Sequence, residues 1–430
     1  MKLGTHWIDI TPAEPIDIYG QMLSRRGEYT HDPLTVNAVA LEQDGVKAVL
    51  VSCDMCQFED DFVRQVQSLC EQSIGVPASS VMIACTHTHL APNTFTTLFG
   101  EANESFLYRL RESLVDVVRQ SLDDLEDVEL YAGSGYLEQM GFNRRGLYGN
   151  GRAEMYHGSW CEDFKGVEGP RDGEVGVIFA RKPSGDIKAV ISSFSTHPNS
   201  LEMESFYSAD LVGAVRSFLR SNLGDDLGVI YLTGAAGNTA PSKLDDNKDG
   251  EMPWRNEDGW KRSGLYLGSE ILKTIAGTIK PMPSPVLKLA QTRFAIPLGQ
   301  WRDTFDPGEM VLRPDFGEWF DYVRRLWPKV LKERNPTQVQ INVLRIGDAI
   351  ICTSPAELFV EFGLQIKEAS PASVTLIAEL VDGCVGYVPT EEAMKHGGYC
   401  TIRQPACPLD VCAGGMIVDA TRQLINQVFG

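Results

Sequence analysis

Histidine is scarce in this chain, with seven among 430 residues. Any site that needs imidazoles must therefore draw on a short roster. Positive charge is also in deficit: 39 Lys and Arg face 58 Asp and Glu, a formal net charge of −19. That excludes the broad phosphate-binding surface of a nucleic-acid protein, and it says little about a small substrate. No apolar run approaches the ~20 residues of a membrane-spanning helix. The first ten residues lack a long apolar signal core, so no secretory signal is expected and a cytoplasmic location is. Internal repeats and low-complexity tracts are missing. Ten cysteines are present, and Cys53-Asp-Met-Cys56 is a C-x-x-C, but no second pair stands at zinc-ribbon spacing. Buried, reduced thiols are the expectation.

What is present is ordinary globular material, 43% hydrophobic and 23% charged, enough for one large domain or two ordinary ones. Strand-like apolar runs cover 48–52, 80–85, 175–180, 187–195, 228–232, 338–353 and 374–380. Runs with helical periodicity cover 60–73, 104–122, 209–221, 260–279, 316–333, 358–368 and 415–429. This alternation predicts an α/β fold with a mixed β-sheet core flanked by helices. The proline-rich stretch at 280–285 reads as a separator between two halves of one domain, because candidate site residues fall on both sides. A single domain over 1–430 is therefore expected, with the aromatic and acidic region 300–336 as an insertion covering a pocket.

The candidate chemistry centres on Thr86-His87-Thr88-His89, which follows an apolar strand and runs into a Pro-Asn loop. In an extended chain, residues i and i+2 point to one side, so His87 and His89 can face a common point, as a divalent transition metal requires. The bland alternative is a pair of loop histidines. His197, in Thr196-His197-Pro198, repeats the same grammar after another apolar strand, and open α/β sheets gather sites at one end of their strands; a structural histidine fits it equally well. Glu357 is the third candidate. Ser354 reads as an N-cap and Pro355 as the first helical residue, which puts Glu357 in the first turn, where it is also the residue of a capping box. Asp54 and Asp210 are candidates to orient a ligand histidine, or simply turn and helix caps. Asp245-Asp-Asn247-Lys-Asp249-Gly250 matches part of a calcium loop, which keeps Ca2+ or Mg2+ open as an additional ion, but its twelfth position is Asn256 where a glutamate is needed.

Ile8-Asp-Ile-Thr-Pro12, Thr86-His-Thr-His89, Thr196-His197, Ser354-Pro-Ala-Glu357 and Gly386-Tyr-Val-Pro-Thr-Glu-Glu392 occur in the same order as in neutral/alkaline (non-lysosomal) ceramidases and their bacterial relatives. The resemblance spans about residue 3 to about residue 405 and implies the fold of the ceramidase N-terminal domain. It further implies a zinc amidase with one zinc per chain held by His87, His197, Glu357 and Tyr387. His89 would then be a catalytic group beside the metal, with Arg144 and Tyr399 on the substrate side; Arg145 and Arg152 compete with Arg144 for that match. Three departures qualify the likeness. Thr233-Gly-Ala-Ala-Gly-Asn-Thr-Ala-Pro241 has Gly237 where the family's long-discussed serine would lie, so a metal-activated water is the coherent nucleophile. The C-terminal β-sandwich and the secretion signal of the larger enzymes are not seen. A small or amphipathic amide, or less favourably an ester, is thus the expected substrate. The other classes weighed are a non-catalytic ligand-binding member of the same fold and a glycosidase, for which Glu202, Glu204 and Asp210 offer no preferred pair. No nucleic-acid partner and no membrane span are expected, and the oligomeric state is open.

Overall fold

The apolar runs become strands buried on both faces, and they are shared among three sheets. The computed structural model describes residues 1–245, 249–283, 286–300, 316–404 and 406–430. The first sheet orders Val81–Cys85, Val46–Cys53, Thr35–Gln43, Lys2–Asp9 and Glu126–Asp127. The second orders Gly228–Thr233, Ile187–Phe194, Glu174–Arg181 and Glu129–Tyr136. The third orders Leu287–Ile296, Thr337–Ile346, Ala349–Thr353 and Val374–Ala378. Each sheet is antiparallel except for one pair at its edge, which is parallel. A helix bridges each parallel pair: Asp60–Ile74, Asp210–Leu223 and Val360–Glu368. Parallel strands need such a crossover.

The period-2 alternation of a strand explains how the sheets pack. Val39, Leu41, Met82 and Ala84 of the first sheet, Ile178, Ala180, Ile230 and Leu232 of the second, and Leu344, Ile351 and Leu376 of the third share one central cluster. The intervening residues face outward under helices. Val36, Ala38 and Ile83 pack with Leu110 and Leu114, Val177 and Phe179 with Val215 and Leu267, and Ile341, Val343 and Ile350 with Ile417 and Leu424. Burial on both faces is what produces continuous apolar runs rather than alternation.

At the end where the parallel strands terminate, backbone groups and one threonine hydroxyl close a ring between the sheets. Cys85 N donates to Leu380 O (3.1 Å), Glu379 N to Thr233 O (2.8 Å), and Thr233 Oγ1 to Thr86 O (2.8 Å). The loops that carry the candidate residues leave from this ring.

Several expectations are corrected. The run 338–353 is a hairpin, Thr337–Ile346 and Ala349–Thr353, turning at Gly347 and Asp348. The strands Lys2–Asp9, Thr35–Gln43, Glu129–Tyr136 and Leu287–Ile296 were not expected. Glu357 is not in a helix: it starts the short strand Glu357–Leu358, paired in parallel with Tyr387–Val388, and the helix begins at Val360 after Phe359. Ser354 caps no helix; its Oγ accepts from Ala356 N at 3.2 Å. Asn247 lies outside the described residues, as do 284–285 of the proposed separator and 301–315 of the proposed insertion. Asn256 is the N-cap of Glu257–Gly277, its side chain accepting from Gly259 N at 2.9 Å, so that group is already engaged. Among the described residues, no helix is long and apolar enough to cross a membrane.

Candidate metal centre

The three sheets each deliver one donor. His87 follows Val81–Cys85, His197 follows Ile187–Phe194, and Glu357 follows Ala349–Thr353. All three are buried. His87 Nε2 lies 3.3 Å from His197 Nε2 and 3.4 Å from Glu357 Oε2, and His197 Nε2 lies 3.3 Å from the same oxygen. Donors 2.0–2.2 Å from a tetrahedral ion are separated by about 3.3–3.5 Å, so the three atoms form one face of such a tetrahedron. Glu357 Oε2 is buried without a hydrogen bond of sound geometry, a state that is costly unless a cation meets it.

The second nitrogen of each ring is committed elsewhere. His87 Nδ1 faces Cys56 O at 2.9 Å and His197 Nδ1 faces Ala236 O at 2.7 Å. With Nδ1 committed to these carbonyls, both rings turn Nε2 toward the common point. Burial, reinforced by Arg144, holds His197 well below the ordinary imidazole range, so it is neutral and ready to ligate. Burial would raise the Glu357 carboxyl, but His87 and His197 outweigh it and hold the group well below the usual carboxylate range. Burial would also lower His87, yet Cys56 and Glu357 together raise it.

The two histidines of the H-x-H do not converge by extended-chain alternation. His87 takes φ +70°, a left-handed conformation that is costly for a non-glycine residue and gathers at functional sites. Its N–H is tied to Met55 O at 3.0 Å. His89 Nε2 ends 3.4 Å from His87 Nε2, but His89 does not join the His87, His197, Glu357 donor group. A second group, Cys56, His87 and His89, shares His87 with the first. The Cys56 thiol sits 3.5 Å from His87 Nδ1; burial opposes its ionisation, but His87 and His89 outweigh this and bring its pKa down to about 7. All ten cysteines are free, and most are buried.

Arg144 reaches the same centre. Its Nη2 lies 3.2 Å from His197 Nε2, 2.9 Å from Gly237 O and 3.2 Å from Tyr387 Oη, and its Nη1 donates to Tyr156 Oη at 2.9 Å. Its competitor Arg145 is spent on Glu168 and the carbonyl of Gly397. Asn143 is structural, its amide donating to Pro170 O and its oxygen accepting from Arg145 N. Tyr387 stands beside Glu357 in strand register, its ring 5.9 Å from that of Tyr399. Burial and Glu357 push both phenols up.

The two carboxylates considered as histidine orienters touch no ligand ring. Asp54 takes a bidentate ion pair from Arg216 (2.8 and 2.9 Å) and hydrogen bonds from Thr35 and Thr86. Asp210 accepts from Ser200 N and Leu201 N, each at 2.9 Å. Each fixes a loop that carries a candidate donor instead. The glycine-rich segment does bring backbone close to the site. A Cβ on Gly237 would fall 2.4 Å from Glu357 O, so no side chain fits there. Sequence reasoning missed Glu379, whose Oε2 accepts from Ala236 N (3.0 Å) and Leu358 N (3.1 Å). It thereby joins the carbonyl that orients His197 to the strand that carries Glu357. It also missed Tyr156, at φ +63°, and a role for Glu202 beside His89. No local pattern marks these residues, because their partners are remote in sequence.

A ceramidase complexed with C2 and a neutral ceramidase from Pseudomonas aeruginosa each superpose with a TM-score of 0.74, at 18% identity, over 99% of this chain and 74% of theirs. The fold is that of neutral ceramidase. No protein-family model matches the chain, and no curated protein sequence does.

Proposed function

We propose that this chain is a ceramidase-like zinc amidohydrolase, a single catalytic domain that cleaves the C–N bond of a small or amphipathic amide. His87, His197, Glu357 and Tyr387 would hold one zinc ion. The observation that carries the reading is the triangle of three buried donor atoms with edges of 3.3, 3.4 and 3.3 Å, found on a neutral ceramidase fold. A zinc ion there supplies Lewis acidity toward a carbonyl and lowers the pKa of a water.

The chain's own residues supply the remainder. His89 Nε2 is beside the donor face without being part of it, so it is free to take a proton from the attacking water and to return one to the departing amine. Arg144 places a guanidinium against His197 and Tyr387, where it can stabilise negative charge on the carbonyl oxygen as the tetrahedral species forms. Tyr399, kept protonated by its burial, can donate a hydrogen bond to that oxygen. Gly237 leaves no serine to compete as nucleophile. The same apparatus would open an ester through the same tetrahedral geometry.

Zinc-loaded protein assayed against short-chain N-acyl sphingoid amides, N-acyl amino acids and matched esters tests the reading. Turnover that is lost on chelation and regained with zinc is expected. A folded protein carrying one zinc that hydrolyses nothing in the panel would overturn it in favour of a ligand-binding member of the fold.

A further inference from the structure

His89 is the one histidine of the centre whose Nδ1 does not face a backbone carbonyl. That nitrogen lies 3.1 Å from Glu202 Oε2. Both residues are buried, and they are 113 positions apart in sequence. Their meeting is built from both sides. Arg25 uses one guanidinium to hold both backbones, Nη2 donating to His89 O and Nη1 to Glu202 O, each at 2.7 Å. Arg25 Nη1 also reaches Glu204 O at 2.7 Å. Upstream of Glu202, Asp210 pins Ser200 N and Leu201 N. The carboxylate itself is steadied by Asn199 Nδ2 at 3.2 Å on Oε2 and by an ion pair with Arg255 on Oε1. On the other side of the ring, Gly20 lies so close that a Cβ there would fall 2.5 Å from His89 Cβ. The ring is therefore fixed in plane and in position.

We infer that Glu202 is a positioning residue for His89, holding the proton on Nδ1 so that Nε2 faces the donor triangle bare. A carboxylate accepts from an imidazole N–H and gives that tautomer a stronger partner than a neutral group would. Two contacts compete at the ring: the Cys56 thiol, a hydrogen-bond partner of His89 as well as of His87, and Gln21 Nε2, 3.5 Å from the same Nδ1, at the limit of a hydrogen bond. Had Gln21 set the ring, its amide would donate to Nδ1 and the proton would sit on Nε2, facing the wrong way for a group that must accept one. The pairing rests on the catalytic reading of His89 for its purpose, but not for its geometry.

The test uses zinc-loaded, 15N-histidine-labelled protein, with the His89 signals assigned by their loss in His89→Gln. Two-bond 1H–15N correlations report which ring nitrogen carries the proton, with or without turnover. In the wild-type chain His89 is expected to be protonated on Nδ1. Glu202→Gln is expected to shift that population toward Nε2 and to lower kcat on amides by about 10–100-fold, the usual effect of removing such a partner. KM should change by less than about twofold and zinc stoichiometry should not change. Glu202→Asp retains the charge but withdraws it by one methylene; it should lose kcat similarly and serves if the glutamine variant does not fold. His89 found protonated on Nε2 in the wild type overturns the inference. So does full kcat in a folded Glu202→Gln enzyme. Failure of every substrate in the wild type would instead sink the amidohydrolase reading and leave the tautomer measurement to decide this one.

Discussion

If the proposed zinc is bound, removing it should cost this protein a measurable and calculable part of its thermal stability. For a chain of 430 residues, an unfolding entropy of about 2.1 cal/mol/K per residue gives roughly 0.9 kcal/mol/K, so each kcal/mol moves the midpoint by about 1 °C. Zinc at about 1,000 times its Kd adds about 4 kcal/mol to the folded state, and chelation should therefore lower the midpoint by about 4–5 °C. Glu357→Gln removes the only anionic member of the three-atom face. Four-ligand zinc sites bind with roughly 10–16 kcal/mol, or about 2.5–4 kcal/mol per ligand, so the variant should bind some 100- to 1,000-fold more weakly. At the same zinc concentration its gain shrinks to about 0.4–1.4 kcal/mol, and its midpoint should move by about 1 °C. Differential scanning calorimetry of both proteins, with zinc and with chelator, reads the effect. Equal shifts in the two proteins, or none in the wild type, would refute the assignment of Glu357 as a ligand, because the argument depends on no other property of that residue.

Three further outcomes follow from the packing. Gly237→Ala must displace a Cβ from within 2.4 Å of Glu357 O; zinc stoichiometry and activity should fall while far-ultraviolet circular dichroism stays native. Arg216→Leu strands the buried Asp54 carboxylate that supports Thr86 and should cost about 3–5 kcal/mol in denaturant unfolding; a loss below 1 kcal/mol would mean that water reaches Asp54. Asp382 is buried against Ile83 N, Gln67 and Asn342, and burial, opposed in part by these bonds, raises its carboxyl to about 7. Its folded pKa thus lies above the unfolded value of about 3.9, so the carboxyl favours the folded state at low pH and loses that contribution as pH rises from about 4 through about 7. Relative to Asp382→Asn, the wild type should weaken by roughly 2–4 kcal/mol between pH 4 and pH 8, and parallel stability curves for the two would show that the group titrates normally.

The sequence reads well where chemistry is local. Thr-His at a strand end twice over, followed by a polar loop, singled out His87 and His197, whose Nε2 atoms the structure brings to 3.3 Å, because a strand terminus and a breaker are both visible in a short window. It reads poorly where a contact is remote. Ser354-Pro-Ala-Glu357 has capping-box spacing, yet Phe359 is extended and the helix that starts at Val360 is capped from elsewhere, Val360 N donating to Asn238 Oδ1 at 2.8 Å. Nothing near residue 357 announces a partner at 238, or the parallel pairing with Tyr387. Asp54 and Asp210 were sensed as supports, but a carboxylate that holds a loop and one that holds an imidazole look alike in sequence. The mixed core was legible as two-faced strands, but its division into three sheets was not, because a strand buried on both faces has the same composition whichever neighbours it joins.

That division explains why the donors are so close. Here the candidate donors follow strands of three sheets whose ends are bound to each other through Cys85 and Leu380, Glu379 and Thr233, and Thr233 and Thr86. Those bonds fix the three loop origins relative to one another, and the shared central cluster behind them resists any shear between sheets, since a packed core yields in discrete steps rather than continuously. Glu379 adds a direct tie between the second and third loops, and Gly237 lets their backbones touch. The strain at His87 is then what remains when the first loop must reach the same point: the fold sets the meeting place, and the residue bends to it.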